Sequence, residues 1–308
     1  MTWTRPPALR DGGLIGVCAP AGAVDPEQLE RGVTELRYLG FQVRVPEGLF
    51  ERKLFMAGSE ERRIAELHDL FADDNVGAIA CARGGAGAAR LLAGLDARIL
   101  AAHPKPFVGF SDATVLHLLL NAHGLVSLHG PMVAVDLASG SYDRGSLLHA
   151  LTGEGAPYRS EEDDLLPLRP GMAEGRLRGG CLSLLANAAG TRWALRPQGE
   201  PTILFLEDVD EPPYKIDRML LQLCRAGAFE GVRGVIFGDM KGCAPRREAD
   251  FTLEDVILDA LDGLDVPIAL GLSSGHAAGP QVTLPLGVRA RLSCGDTAEF
   301  EVLDPAVS

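Results

Sequence analysis

At 308 residues the chain is long enough to bury a large core, and two domains are the natural expectation. Its hydrophobic content of 46% and charged content of 23% are those of a soluble globular protein. A formal net charge of -13 with no basic run argues against nucleic acid and anionic membrane as partners. The six cysteines, at 18, 81, 181, 224, 243 and 294, form no C-x-x-C pair and have no companion histidines at metal spacing. That usage suits a reducing cytoplasm and predicts neither metal nor disulfide. Met1 to Gly13 lacks the apolar stretch of a signal peptide and no later run is long enough to span a bilayer, so a cytoplasmic location is expected.

In chain order, Leu14 to Ala19 is a short apolar strand that stops at Pro20. Asp25, Pro26 and Glu27 then supply a cap, a first-turn proline and an early acid for a helix lined by Leu29, Val33, Leu36 and Leu39. Phe41 to Val45 is the next strand. Ser59 opens a second helix, with Ile64, Leu67 and Phe71 inward. Val76 to Ala82 reads as a buried strand, Ala88 to Leu95 as a helix, and Phe107 to Phe110 as another strand. The alternation predicts an α/β fold with a doubly wound, mostly parallel N-terminal sheet, whose functional groups belong at the carboxyl ends of its strands.

Two such ends stand out. The strand ending at Phe110 runs directly into a helix with Val115, Leu116, Leu119 and Leu120 on one face, and Ser111 and Asp112 occupy the joint. Small residues, Gly109 and Ala113, flank Ser111 as they would in a nucleophile elbow, although G-x-S-x-G is not met; the same residues also suit a helix cap. The other end is the glycine-rich turn from Ala82 to Arg90. Its bare N–H groups suit an anion, and its glycines equally suit a tight turn. It is neither a P-loop nor a dinucleotide fingerprint.

The segment from Gly153 to Gly171, rich in Gly, Pro, Glu and Asp, reads as a linker between a domain at 1–152 and one at 172–308. Beyond it lie a strand around Gly175 to Leu177, a turn at Gly179 and Gly180, and a helix through Leu182, Leu185 and Ala186. An apolar strand from Pro201 to Leu206 ends on Glu207 and Asp208, and a helix spans Tyr214 to Arg225. Strands at Val232 to Phe237 and Val266 to Leu270 bracket a helix from Leu253 to Leu261, and the tail from Val282 to Leu303 reads as antiparallel. The result is a mixed α/β C-terminal domain. His276 lies among residues too small to hide it, so Ser111, Glu207 and His276 supply the parts for nucleophilic acyl transfer. A non-catalytic binder holding a small anion on the Gly84 and Gly85 turn is the rival from another class.

Four segments together resemble the LD-carboxypeptidase family of serine peptidases. They are Ala82 to Gly87; Gly109 to Asp112 followed by His129 to Pro131; Leu206 to Met219; and Gly275 and His276 followed by Leu284 to Gly287. The resemblance spans nearly the whole chain. It implies a flavodoxin- or amidotransferase-like N-terminal domain with a swivelling C-terminal domain, and a cleft site. It makes Ser111 the nucleophile, His276 the base, Glu207 the residue that orients the imidazole, and the N–H groups of Gly85 and Asp112 the oxyanion hole. The implied reaction is cofactor-free release of a C-terminal D-amino acid, typically D-alanine, from a murein tetrapeptide. The runner-up is a microcin C-type immunity peptidase using the same triad. The expected partner is therefore a small peptide, and the frequent dimers of the family make a homodimer an expectation by analogy. The family often has Tyr where Ala86 stands and Asn where Cys181 stands, which bears on substrate preference more than on reaction class.

Overall fold

In the computed structural model the described residues are 2–160, 165–197, 199–246, 249–276 and 279–308. The chain forms two compact units, one of 1–156, 280–287 and 305–308 and the other of 157–279 and 288–304.

In the first unit β1 (Leu14–Cys18), β2 (Gln42–Arg44), β3 (Val76–Cys81), β4 (Phe107–Gly109) and β5 (Ser127–His129) are all parallel, in the spatial order β2-β1-β3-β4-β5. Between them run α1 (Pro26–Tyr38), α2 (Glu60–Ala72), α3 (Ala97–Ala102) and α4 (Thr114–Ala122), and α5 (Arg144–Thr152) follows β5. Caps start these helices as anticipated: the Asp25 carboxylate accepts from the Gln28 N–H at 2.9 Å and Ser59 Oγ from the Arg62 N–H at 3.2 Å. A doubly wound sheet of this order places its strand ends, and the loops after β1, β3 and β4, along one edge.

Local details differ from the sequence reading. The helix expected over 88–95 is a short 3₁₀ turn, Ala88–Leu91. Leu67 and Phe71 of α2 are buried as expected and Ile64 is half-buried, but the face also takes in Leu70, Arg63 and Glu66, the two charged side chains being bonded to Pro20 and Ala19 of another loop. α4 is buried on almost every side, His117 included, rather than on one stripe.

The second unit holds β6 (Leu166–Arg169), β7 (Gly171–Cys181), α6 (Leu182–Ala188), β8 (Thr202–Glu207), α7 (Pro213–Arg225), β9 (Val232–Gly238), α8 (Leu253–Ala260) and β10 (Ile268–Leu272). After a return of the chain to the first unit come β12 (Arg289–Cys294) and β13 (Ala298–Val302), giving the mixed sheet β13-β12-β7-β8-β9-β10-β6.

The partition corrects the boundaries drawn from sequence. Residues 166–169 of the expected linker pair antiparallel with β10, while 161–164 lie outside the described residues. The tail is divided: β11 (Leu284–Leu286) pairs antiparallel with β5, as Leu284 with His129 and Leu286 with Ser127. Pro285 is tolerated because β11 is an edge strand. The last residue, Ser308, exchanges backbone hydrogen bonds with Pro6 and Ala8. Gly179 and Gly180 are not a turn but strand residues opposite Phe205 and Leu206.

His117 joins α4 to the sheet. Its Nε2 donates to the Gly109 carbonyl at 2.8 Å, which fixes the tautomer and leaves Nδ1 to accept from the Ser127 hydroxyl at 2.9 Å. Burial lowers its pKa to about 3. An unfolded imidazole protonates near pH 6.5, so between those values the unfolded state holds the extra proton and acidification favours unfolding. His117→Gln should therefore be less stable at neutral pH, yet lose stability more gently on acidification below pH 6.5. The slope should fall by up to about 1.4 kcal/mol per pH unit. Urea unfolding at a series of pH values measures this; an unchanged slope would show that His117 is protonated in the folded protein.

Candidate active site

The first unit places Ser111 immediately after β4, where the chain turns into a short 3₁₀ segment and then α4. Ser111 has φ +59, a left-handed conformation uncommon for a residue with a side chain. Such a residue costs on the order of 1–3 kcal/mol and persists only where its surroundings hold it. They do so from two sides. At Gly109 a Cβ would lie 2.8 Å from Cys81 Sγ, so the strand needs glycine to pass that close. At Gly84 a Cβ would lie 2.9 Å from both Cβ and Oγ of Ser111 and 3.5 Å from the Asp112 nitrogen, so the glycine turn rests directly against the serine. Gly84 is buried, whereas Gly85 is exposed with φ +108.

The turn is clamped by two side chains whose role the sequence did not disclose. The Asp112 carboxylate, 5% exposed, accepts the Ala88 N–H at 2.7 Å. Burial raises its pKa, against the pull of the Ala88 and Gly87 N–H groups and Arg63. Arg63, fully buried, donates to the carbonyls of Pro20 at 2.5 Å, Gly87 at 3.1 Å and Ser59 at 3.2 Å. One guanidinium thus fastens the loop after β1, the start of α2 and the end of the glycine turn. Arg63 is not singled out in the sequence; its position one turn before Leu67 is the available signal. The Gly22 N–H adds a 3.0 Å bond to the Gly84 carbonyl.

In the second unit Glu207 ends β8 and is fully buried. Its Oε2 accepts from His276 Nδ1 at 2.8 Å and from the His276 backbone N–H at 3.2 Å. With Nδ1 donating, the lone pair of the neutral ring falls on Nε2, the nitrogen a general base would use. His276 remains 23% exposed at its side chain. Gly275, φ +101, makes the pairing possible, since a Cβ there would lie 2.5 Å from Glu207 Cγ and Oε2. Glu211 instead forms an ion pair with Lys215 at 2.8 Å. Cys181, opposite Glu207 on β7, is buried, and burial keeps its thiol protonated well above the ordinary range, with Glu207 and Asp208 adding to the effect. It stays within polar reach of Ser183 Oγ at 3.3 Å and Asp208 Oδ1 at 3.8 Å.

Ser111, Asp112 and Gly85 are thus grouped in the first unit, and Glu207 and His276 in the second. Among the described residues no group of three or more His, Cys, Asp or Glu side chains is arranged to hold a metal ion. No described helix is long and apolar enough to cross a membrane.

Residues 15–130 match the LD-carboxypeptidase N-terminal domain, and 174–292 match the LD-carboxypeptidase C-terminal domain. A Bacillus subtilis relative, described as a probable murein peptide carboxypeptidase, is 37% identical over 303 residues, covering 96% of this chain and 94% of its own. The solved muramoyltetrapeptide carboxypeptidase of Oxalobacter formigenes is 30% identical, with a TM-score of 0.81 over 95% of this chain and 99% of that one. A structure of MccF in complex with glutamyl sulfamoyl guanosine has a TM-score of 0.86 over 99% of each chain, and at 22% identity this is a likeness of fold.

Gly275→Ala should push the Glu207 carboxylate from the imidazole and strain a left-handed residue, costing roughly 1–3 kcal/mol of stability. Proton NMR should then lose the downfield Nδ1–H signal of His276. Its retention would show that the loop relaxes without disturbing the pair.

Proposed function

The chain belongs to the LD-carboxypeptidase family and is a serine carboxypeptidase; from that premise we propose that it releases the C-terminal D-alanine of a murein tetrapeptide, cutting after the L-centre of diaminopimelate. The observation that carries this reading is the 2.8 Å bond between His276 Nδ1 and a fully buried strand-end carboxylate. It holds an imidazole with Nε2 as its basic nitrogen, as a serine hydrolase requires.

In the proposed cycle His276 Nε2 takes the Ser111 proton as Oγ attacks the scissile carbonyl. The N–H groups of Gly85 and Asp112 receive the developing oxyanion, a role supported by the contact between the glycine turn and Ser111. Collapse of the tetrahedral intermediate breaks the C–N bond, and the imidazolium gives its proton to the departing D-alanine amine. Water, deprotonated by the same imidazole, then hydrolyses the acyl-enzyme and frees the tripeptide. Glu207 holds the imidazole in place and stabilises its cationic form. The reading places the reaction in the cytoplasm, an assignment supported by six free cysteines.

The direct test is mass spectrometry of muropeptide tetrapeptides, in which L,D-linked substrates should lose D-alanine and D,D-linked ones should not. The microcin-type alternative would instead turn over glutamyl sulfamoyl guanosine and leave muropeptides intact. Ser111→Ala should abolish turnover without unfolding the protein; retention of a substantial rate would remove Ser111 from the mechanism. The rate should rise with pH as His276 loses its proton, and a flat profile from weakly acidic to alkaline pH would count against a histidine base. Glu207→Gln should cost on the order of a thousandfold in kcat, by analogy with other triad acids. Glu211→Gln should cost far less, since its partner is Lys215.

A further inference from the structure

An exopeptidase must recognise a chain end, and the group that distinguishes a C-terminal residue from an internal one is its carboxylate. A buried or half-buried carboxylate is best met by a guanidinium, whose planar fork gives two parallel charge-assisted hydrogen bonds. The second helix and the glycine turn of the first unit carry several arginines, and most are committed. Arg62 pairs with Glu66 at 2.6 Å and Arg90 with Glu60 at 3.1 Å, while Arg63 is buried on backbone carbonyls. Arg83 is different. It begins the glycine turn, is exposed, and has no carboxylate partner among the described residues. Its one hydrogen bond is a 3.3 Å contact from Nη1 to the Ala23 carbonyl, which leaves most of its five N–H donors for another acceptor.

Its placement follows the same turn. A Cβ on Gly22 would lie 3.4 Å from Arg83 Nε, and one on Gly85 would lie 3.9 Å from Nη2. The guanidinium therefore lies over Gly22 and Gly85, on a turn whose neighbouring residue, Gly84, touches Ser111 Oγ. The absence of side chains at Gly22, Gly84 and Gly85 lets the Gly22 loop, the glycine turn and Ser111 pack closely, so that fork and hydroxyl lie along the same turn. We infer that Arg83 is the specificity-determining residue that binds the terminal carboxylate of the leaving amino acid and so makes this serine hydrolase a carboxypeptidase. The inference rests on the reading of Ser111 as the nucleophile, and it assigns the ligand class of the leaving-residue subsite: an α-carboxylate.

The test pairs a tetrapeptide ending in D-alanine with the same peptide ending in D-alaninamide. Binding is measured by calorimetry in the Ser111→Ala background, so that it does not depend on turnover. Wild-type Arg83 should favour the free carboxylate, and Arg83→Gln should reduce that preference about 10- to 100-fold, the range of a charge-assisted pair. Arg83→Lys should restore it in part. In the Ser111-containing protein the Arg83→Gln loss should appear chiefly in KM, while labelling of Ser111 by a fluorophosphonate stays at the wild-type rate. An Arg83→Gln protein that still discriminates acid from amide to the wild-type extent would overturn the inference. Failure of the fluorophosphonate to label wild-type Ser111 would overturn the parent reading alone, because the calorimetric comparison still decides the role of Arg83.

Discussion

A carboxylate withdrawn from water has to be met by donors, and Glu207 at the end of β8 is withdrawn completely. The backbone and ring N–H groups of His276 both meet it at Oε2. Everything around the pair serves that contact. The apolar strand Thr202–Glu207 fixes the carboxylate on rigid backbone, and Gly275 removes the atom that would keep the loop away. Both the orientation of the imidazole and its tautomer follow from one buried charge.

The first unit solves a different problem, that of keeping a serine in a conformation it would not choose. The left-handed turn at Ser111 is held from below by the strand end, where Gly109 packs on Cys81, and from the side by the glycine turn. That turn is tied down by Asp112, which accepts from Ala88, and by Arg63, which donates to Gly87. Asp112 is thereby committed through its side chain while its backbone nitrogen stays beside the serine. His117 anchors the same bend through the Gly109 carbonyl, and burial keeps it uncharged. Among the polar groups around Ser111, Asp112, Arg63 and His117 hold backbone, whereas Arg83 is exposed and makes one hydrogen bond, to the Ala23 carbonyl.

The two departures from the family's usual residues have different consequences. Ala86 is exposed at the crest of the glycine turn, where a smaller side chain exposes more of the turn. Cys181 is buried opposite Glu207, and its thiol keeps polar neighbours in Ser183 and Asp208.

Much of the strand and helix order, the serine at a strand-to-helix joint and the acid at a strand end were legible in the sequence, as was a histidine left partly exposed by small neighbours. Each depends on local periodicity, caps and glycines, whose effect is exerted within a few residues. The sequence could not decide where the chain crosses back, because Leu284–Leu286 is short and its membership of the first sheet depends on register with β5, some 155 residues earlier. Glu207 is favoured in the sequence because it directly follows an apolar strand, but its pairing with His276, and that of Glu211 with Lys215, is a matter of distance set by the fold. The same is true of Arg62, Arg63, Arg83 and Arg90, identical in residue type. Only tertiary structure decides which guanidinium is spent on a salt bridge, which on buried carbonyls and which is left open, since that is set by the loops that happen to pack around each.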